Sequence, residues 1–333
     1  MPRFSFIVPV YNRIDEVRDL LESLLEQTDR DFEVVIVEDG STDPCEAECT
    51  RAREHGLDVQ YIYKGNEGRS IARNVGMENA KGNYFIFVDS DCVIPPDYVA
   101  TVKKALDKKP LDCYGGPDAA HSSFTATQKS INFAMTSFLT TGGIRGGKKS
   151  MEKFTPRTFN MGFSRKVYNK VGGFREMFSE DIDMSKRILG AGFSVGLIPE
   201  AKVWHKRRVD FKKFFRQVHV FGMSRITLKL LYPDSLKVVH TLPALAVFML
   251  IAIVVLGILV SPWFFILPAI YILAIFMLAF ASTRSLKIAF LAVPASVIQI
   301  VGYGTGFIRA FFSKIILRRG RDIEQEISMR KGK

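Results

Sequence analysis

The chain has 333 residues, 47% of them hydrophobic, with 46 Lys and Arg against 34 Asp and Glu for a net charge of +12. That length allows one large or two small domains with a real core. The charge argues against nucleic acid: residues 201–333 hold 20 Lys and Arg and 5 Asp and Glu, a balance of +15, which leaves −3 for residues 1–200, and the basic excess flanks uncharged apolar segments, as attraction to anionic lipid and the positive-inside bias produce.

The first hundred residues alternate short β-branched runs with stretches of helical period. Strands are expected at 4–10, 32–38, 59–63 and 84–89, and helices at 14–27, 44–55, 68–80 and 97–106. This βαβ rhythm predicts an α/β domain with a mostly parallel central sheet. The opening run Phe4-Ser5-Phe6-Ile7-Val8 is too short for a signal sequence and is stopped by Pro9, so export of the N-terminal domain is not expected. Cys45, Cys49, Cys92 and Cys113 lack the paired spacing of a zinc site and the density of a disulfide scaffold, and read as reduced thiols.

The predicted organisation is one domain at 1–210 in two halves, 1–110 and 111–210. Glycine and lysine density at 142–149 suggests a mobile loop. Over 211–238, Phe211, Phe214, Phe215, Val218 and Phe221 form a stripe opposite Lys212, Lys213, Arg216 and His219. An interfacial amphipathic helix and a helix packed on the protein core reward the same stripe, so both readings stand.

Residues 239–312 carry apolar segments at 241–261, 263–281 and 288–308. The third contains Pro294, Gln299, Gly302, Gly304 and Gly306, and is open to spanning, re-entering or packing against the other two. Three crossings would put the basic tail at 313–333, with Arg318, Arg319 and Arg321, opposite the catalytic domain and against the charge bias.

Ligands of open α/β sheets sit beyond the carboxyl ends of strands, where Asn12, Asp39, Asp89 and Asp91 fall. Asp89-Ser90-Asp91 follows the strand Tyr84-Phe85-Ile86-Phe87-Val88 and offers hard oxygen ligands suited to Mg²⁺ or Mn²⁺; alone, such a triplet also fits a solvated turn. In Glu38-Asp39-Gly40-Ser41-Thr42-Asp43, Gly40 permits a tight turn, Asp39 can accept from a base N–H, and Asp43 is the expected cap of the helix at 44–55.

Together, Val8-Pro9-Val10-Tyr11-Asn12, Glu38 to Asp43, Asn66-Glu67-Gly68 with Ala72-Arg73-Asn74, and Asp89-Ser90-Asp91 resemble the family 2 glycosyltransferases of GT-A fold. The likeness continues through Asn160-Met161-Gly162, Gly172-Gly173-Phe174, Glu180-Asp181 with Asp183, and Trp204-His205, about two-thirds of the chain. It implies a GT-A, Rossmann-like nucleotide-sugar catalytic domain at 1–210, nucleotide-binding over 1–110 and acceptor-binding over 111–210, with the 142–149 loop ordering over bound donor, followed by C-terminal transmembrane helices. By that resemblance Asp39 contacts the nucleotide base, Asp89 the ribose and sugar, and Asp91 a Mn²⁺ or Mg²⁺ ion that His205 also ligates. Pro9, Tyr11, Asn12 and Ser90 line the donor site, Arg73 orients the donor, and Asn160 hydrogen-bonds sugar hydroxyls. Asp181 matches the catalytic base of an inverting transfer; its other reading is an acidic helix start. Gln217 is followed by Val218-His219-Val220-Phe221 and not by the Arg-Trp of processive synthases, so single-sugar transfer is expected.

The implied function is transfer from a UDP-sugar to a hydroxyl of a lipid-linked or membrane-proximal glycan, at the cytoplasmic membrane with the catalytic domain facing the cytoplasm. Its rivals are transfer onto a polyprenyl phosphate and, from another class, a non-catalytic nucleotide-binding membrane scaffold. A nucleotidyltransferase is disfavoured, because Tyr11-Asn12-Arg13 is no glycine-rich phosphate loop.

Overall fold

The computed structural model of the protein describes residues 1–119, 124–142, 155–206 and 210–319. The chain divides into two compact units, Met1–His121 with Lys153–Lys206, and Ser122–Glu152 with Arg207–Lys333.

The first unit begins with β1 (Phe4–Val10), α1 (Ile14–Leu25), β2 (Phe32–Asp39), α2 (Glu46–Glu54), β3 (Val59–Lys64), α3 (Arg69–Asn79) and β4 (Tyr84–Phe87). β1 lies between β2 and β4, parallel to both, and β3 extends the sheet beyond β2. Side chains alternate between two cores: Phe4, Phe6, Val8, Val34 and Ile36 enter one, Ile7, Val35 and Val37 the other. Val17, Leu20, Leu21 and Leu24 of α1 close the first core, and Ala72 and Met77 of α3 close the second. Burial from both faces explains why β2 reads as an almost continuous apolar run. Pro9 lies past Ile7, the last β1 residue paired with β4, so its missing N–H interrupts no bond of that ladder.

The helix expected at 44–55 begins at Glu46, and Asp43 does not cap it. The buried carboxylate of Glu38 accepts from the Cys45 N–H at 2.8 Å instead, which moves the start two residues on.

The chain continues through β5 (Cys92–Val93), α4 (Tyr98–Lys108), β6 (Cys113–Gly115) and β7 (Asp118–Ala119). The second unit then takes α5 (Ala126–Thr136) and α6 (Phe138–Thr141), and the first resumes with β8 (Met161–Ser164), α7 (Arg165–Val171), α8 (Glu180–Gly190), β9 (Val195–Leu197) and β10 (Val203–His205). The main sheet runs β3-β2-β1-β4-β8-β6-β9, with β8 antiparallel to both of its neighbours. A small sheet, β5-β10-β7, stands apart from it. Strand order reverses between β1 and β4, and the carboxyl ends of β1, β2 and β4 open on one side of that switch point. Gly142, left-handed at φ 65°, ends α6; the remainder of the loop expected at 142–149 lies outside the described residues.

The second unit adds α9 (Phe211–Leu231), α10 (Val238–Leu259), α11 (Ile266–Thr283) and α12 (Leu286–Ala310). The stripe of α9 faces protein: Phe214 and Val218 pack with Ile131, Ala134 and Met135 of α5 and Ala295 of α12. Glycines let these backbones touch, since a Cβ on Gly222 would lie 2.0 Å from the Tyr303 carbonyl oxygen and one on Gly306 2.0 Å from that of His219. The third apolar segment is thus one helix through Pro294, packed on α9. Three helical stretches, Val238–Leu259, Pro262–Thr283 and Leu286–Ile316, are long and apolar enough to cross a membrane. Ile258, Leu259, Val260 and Trp263 expose 68–77% of their surface, a contiguous apolar face that suits lipid and not water, so the chain is membrane-associated.

Candidate active site at the carboxyl ends of the strands

The loops after β1 and β2 are tied to each other. Asn12 takes a left-handed φ of 53°, which asparagine tolerates better than most residues. Its N–H donates to Ser41 Oγ at 2.7 Å, and its Oδ1 accepts from the Thr42 N–H at 2.9 Å and Thr42 Oγ1 at 3.1 Å. Asn12 therefore ties the two loops together, while Tyr11 beside it is half-exposed.

Asp39 ends β2 with its carboxylate enclosed. Oδ1 accepts from Lys64 Nζ at 2.7 Å and from the Glu67 N–H at 3.0 Å, and Oδ2 accepts from the Gly68 N–H at 2.9 Å. Gly40 makes this turn possible: its φ is +74°, and a Cβ there would lie 2.5 Å from the Asn66 nitrogen. Burial works to lower the Lys64 ammonium, but Asp39 and Glu67 outweigh it and hold the group above its usual value.

Asp89 and Asp91 leave β4 through a turn closed by the Cys92 N–H donating to the Asp89 carbonyl at 3.0 Å, with Ser90 buried between them. Asp89 accepts from Arg73 Nη2 at 2.8 Å. Arg73, expected to orient the donor, is 1% exposed; its other arm donates to Glu180 Oε1 at 2.8 Å, and its guanidinium carbon lies 5.6 Å from the centre of the Phe174 ring. Both arms of the guanidinium are thus engaged by carboxylates.

Glu180, Asp181 and Asp183 all lie in the first turn of α8, after Ser179 with a left-handed φ of 64°. Their fates differ. Glu180 is buried between Arg73 and Arg69, and Asp183 between Arg187 and Arg175. Asp181 keeps 16% of its side chain accessible, takes the Ile182 N–H at 2.8 Å on Oδ1, and has Arg157 Nη1 3.5 Å from Oδ2. Burial works to lower the Arg69 guanidinium, but Glu180, Asp89 and Asp181 outweigh it and hold the group above its usual value.

Pairing of β5 with β10 sets His205 opposite Cys92 and brings His205 Nε2 to 3.1 Å from Asp91 Oδ1. The Phe159 ring stacks on the imidazole with centroids 5.1 Å apart. Asp91, Cys92 and His205 form the group of side chains, among the described residues, able to share a metal ion. Of these, the Cys92 thiol is fully buried, points at the Phe159 carbonyl, and is pushed well above its usual pKa by burial first and then by Asp91 and Asp89. The remaining carboxylate and imidazole are a donor pair that fits Mn²⁺ or Mg²⁺, the imidazole suiting Mn²⁺ better.

Asn160 is wholly buried, donating from Nδ2 to the Ala201 carbonyl at 2.7 Å and accepting on Oδ1 from Tyr98 at 2.6 Å, so its amide is engaged inside the fold. Sequence reasoning missed Glu180, Arg69, Arg157, Lys64 and Asp118; of these, only Glu180 stood inside a motif already singled out.

Residues 5–172, half of the chain, match Glycosyl transferase family 2. The chain belongs to that family. Among its relatives, glycosyltransferase GlyA of Streptococcus pneumoniae is 43% identical over 104 residues, 31% of this chain and 15% of GlyA. YibD of Escherichia coli K12, a glycosyltransferase by name, is 36% identical over 110 residues, 33% of this chain and 32% of YibD. The matches thus span a third or less of these relatives' length. The mannosyltransferase PcManGT of Pyrobaculum calidifontis, solved with GDP-Man and Mn²⁺, superposes with a TM-score of 0.60 at 18% identity, covering 94% of this chain and 88% of that one. That likeness is one of fold, and the family 2 catalytic domain here is the GT-A-like α/β domain that the motifs implied.

Proposed function

We propose that the protein is an inverting glycosyltransferase that moves one sugar from a UDP-sugar to a hydroxyl of a lipid-linked or membrane-proximal glycan. One observation carries this reading: the buried Arg73 guanidinium bonds both Asp89, two residues from the metal carboxylate Asp91, and Glu180, next to Asp181. A single group thereby sets the donor end and the base end of one site. Asp91 and His205 would hold a Mn²⁺ or Mg²⁺ ion, which when bound would supply positive charge to offset that of the departing nucleoside diphosphate. Asp181 takes the acceptor proton as the new glycosidic bond forms at the anomeric carbon and the bond to the diphosphate breaks. Asp39 and the loops clasped by Asn12 receive the nucleotide.

The apolar helices keep the enzyme beside acceptors that live in the membrane. Lys and Arg around the first span, among them Lys212, Lys213, Arg216 and Lys237, favour a cytoplasmic-membrane enzyme with its catalytic unit on the cytoplasmic side. The deciding experiment incubates the detergent-purified protein with a panel of UDP- and GDP-sugars, with Mn²⁺ or Mg²⁺ and bacterial lipid extract, and measures nucleoside diphosphate release. No release with any donor, despite metal-dependent nucleotide binding, would turn the reading toward a nucleotide-binding scaffold.

A second reading has an observation of its own. Arg157 places a cation beside Asp181, where an acceptor arriving as an anion, such as a polyprenyl phosphate, would be received. In that case the nucleophile is already ionised and needs no base.

A further inference from the structure

His205 is held on three sides. Nε2 faces Asp91 at 3.1 Å, Phe159 covers one face of the ring, and behind it Nδ1 faces Asp118 Oδ2 at 3.8 Å. The register of the small sheet makes this arrangement: β7 runs parallel to β10 with Asp118 opposite Val203, so Asp118 projects on the same side of the sheet as Val203 and His205. The Asp118 side chain is fully buried behind the imidazole.

We propose that Asp118 is a positioning residue for the metal: it fixes the proton of His205 on Nδ1, so that the Nε2 lone pair is presented beside Asp91. Ligating histidines commonly direct their second nitrogen at a carboxylate, which sets tautomer and ring orientation and strengthens the bond to the ion. The separation of 3.8 Å is too long for a hydrogen bond, and closing it takes a movement of under an ångström by either side chain. Asp118 does not touch donor or acceptor; it acts through His205. The inference rests on Asp91 and His205 being the metal pair, as the proposed function has it.

The test is a Mn²⁺ titration of the full-length protein in detergent, followed by electron paramagnetic resonance, for the wild type, Asp118→Ala, Asp118→Asn, His205→Ala and the Asp118→Asn/His205→Ala double variant. Asp118→Ala weakens Mn²⁺ about 10- to 100-fold. Asp118→Asn, which keeps shape and an acceptor for Nδ1–H, loses less, and it serves as the probe should the alanine variant fail to fold. In the His205→Ala background the Asp118→Asn change costs nothing further, because its only route to the ion is gone. Wild-type affinity in Asp118→Ala, or an equal loss with and without His205, overturns the proposal. Unchanged affinity in His205→Ala instead sinks the metal assignment itself, so the two failures are told apart.

Discussion

Arg73 and Glu180, 107 residues apart in sequence, form a buried ion pair at 2.8 Å, with side chains 1% and 2% exposed. Glu180 also receives Arg69 at 2.8 Å, and Arg73 also holds Asp89 at 2.8 Å. Removing one member leaves charge stranded where water cannot reach it, a loss of about 3–5 kcal/mol in comparable buried pairs. Glu180→Ala should lower the thermal midpoint of the detergent-solubilised protein clearly, and Glu180→Gln by less. Because Glu180 neighbours Asp181, the glutamine variant should also lose turnover at saturating donor. A midpoint and turnover equal to wild type in Glu180→Ala would show that the pair neither holds the fold nor positions the base.

The two acceptor classes separate at Asp181. If the acceptor is a hydroxyl, Asp181→Asn should cut kcat about 10²- to 10⁴-fold, the usual contribution of a general base, while UDP binding measured by calorimetry stays within about twofold. Near-normal turnover in that variant would favour a polyprenyl phosphate. Arg157→Gln then gives an opposed readout: a rise in KM for an anionic acceptor, and little change for a neutral glycan.

Packing of α9 on α12 depends on two glycines. A methyl group at Gly306 would lie 2.0 Å from the His219 carbonyl oxygen, and one at Gly222 2.0 Å from that of Tyr303. Neither contact is with a side chain that can swing away, so Gly306→Ala and Gly222→Ala must push the helices apart. The expected cost is about 1–3 kcal/mol each, read as a lower melting midpoint in detergent. Gly190→Ala, where nothing lies within 4 Å of the added atom, is the control and should leave the midpoint nearly unchanged. Equal behaviour of all three would show that the close approach is not needed.

The strands were legible in the sequence because each face of the sheet buries every second residue: β1 occupies the predicted 4–10, and β2 and β3 each run one residue longer than predicted. The site was legible only where local motifs carried it. Asp89, Asp91 and Asp181 sit near element ends that hydropathy marks, and His205 is the last residue of a short strand. Asp118 and Arg157 come near His205 and Asp181 only through sheet register and the path of the chain, and nothing near them in sequence encodes that proximity. Nor does the motif position of Asn160 say anything of the Tyr98 and Ala201 partners that hold its amide. The α9 stripe stayed ambiguous because lipid and a partner helix select the same side chains.

Lys64 gives a pH signature. Its ammonium binds Asp39 and Glu67, and its folded-state pKa lies above the usual 10.5. A group that holds its proton more tightly when folded contributes its full stabilisation below the unfolded value and loses it as pH rises through the folded one. Lys64→Gln should therefore destabilise the protein at neutral pH, by about 1.5–3 kcal/mol if the bond to Asp39 is worth what charged hydrogen bonds usually are. Above pH 10.5 the gap between variant and wild type should close, because the wild type gives up the same interaction when the lysine deprotonates. Melting midpoints across pH 7 to about 12 measure this. A gap that stays constant through the alkaline range would mean that the Lys64 charge contributes nothing and that only its packing around the Asp39 turn matters.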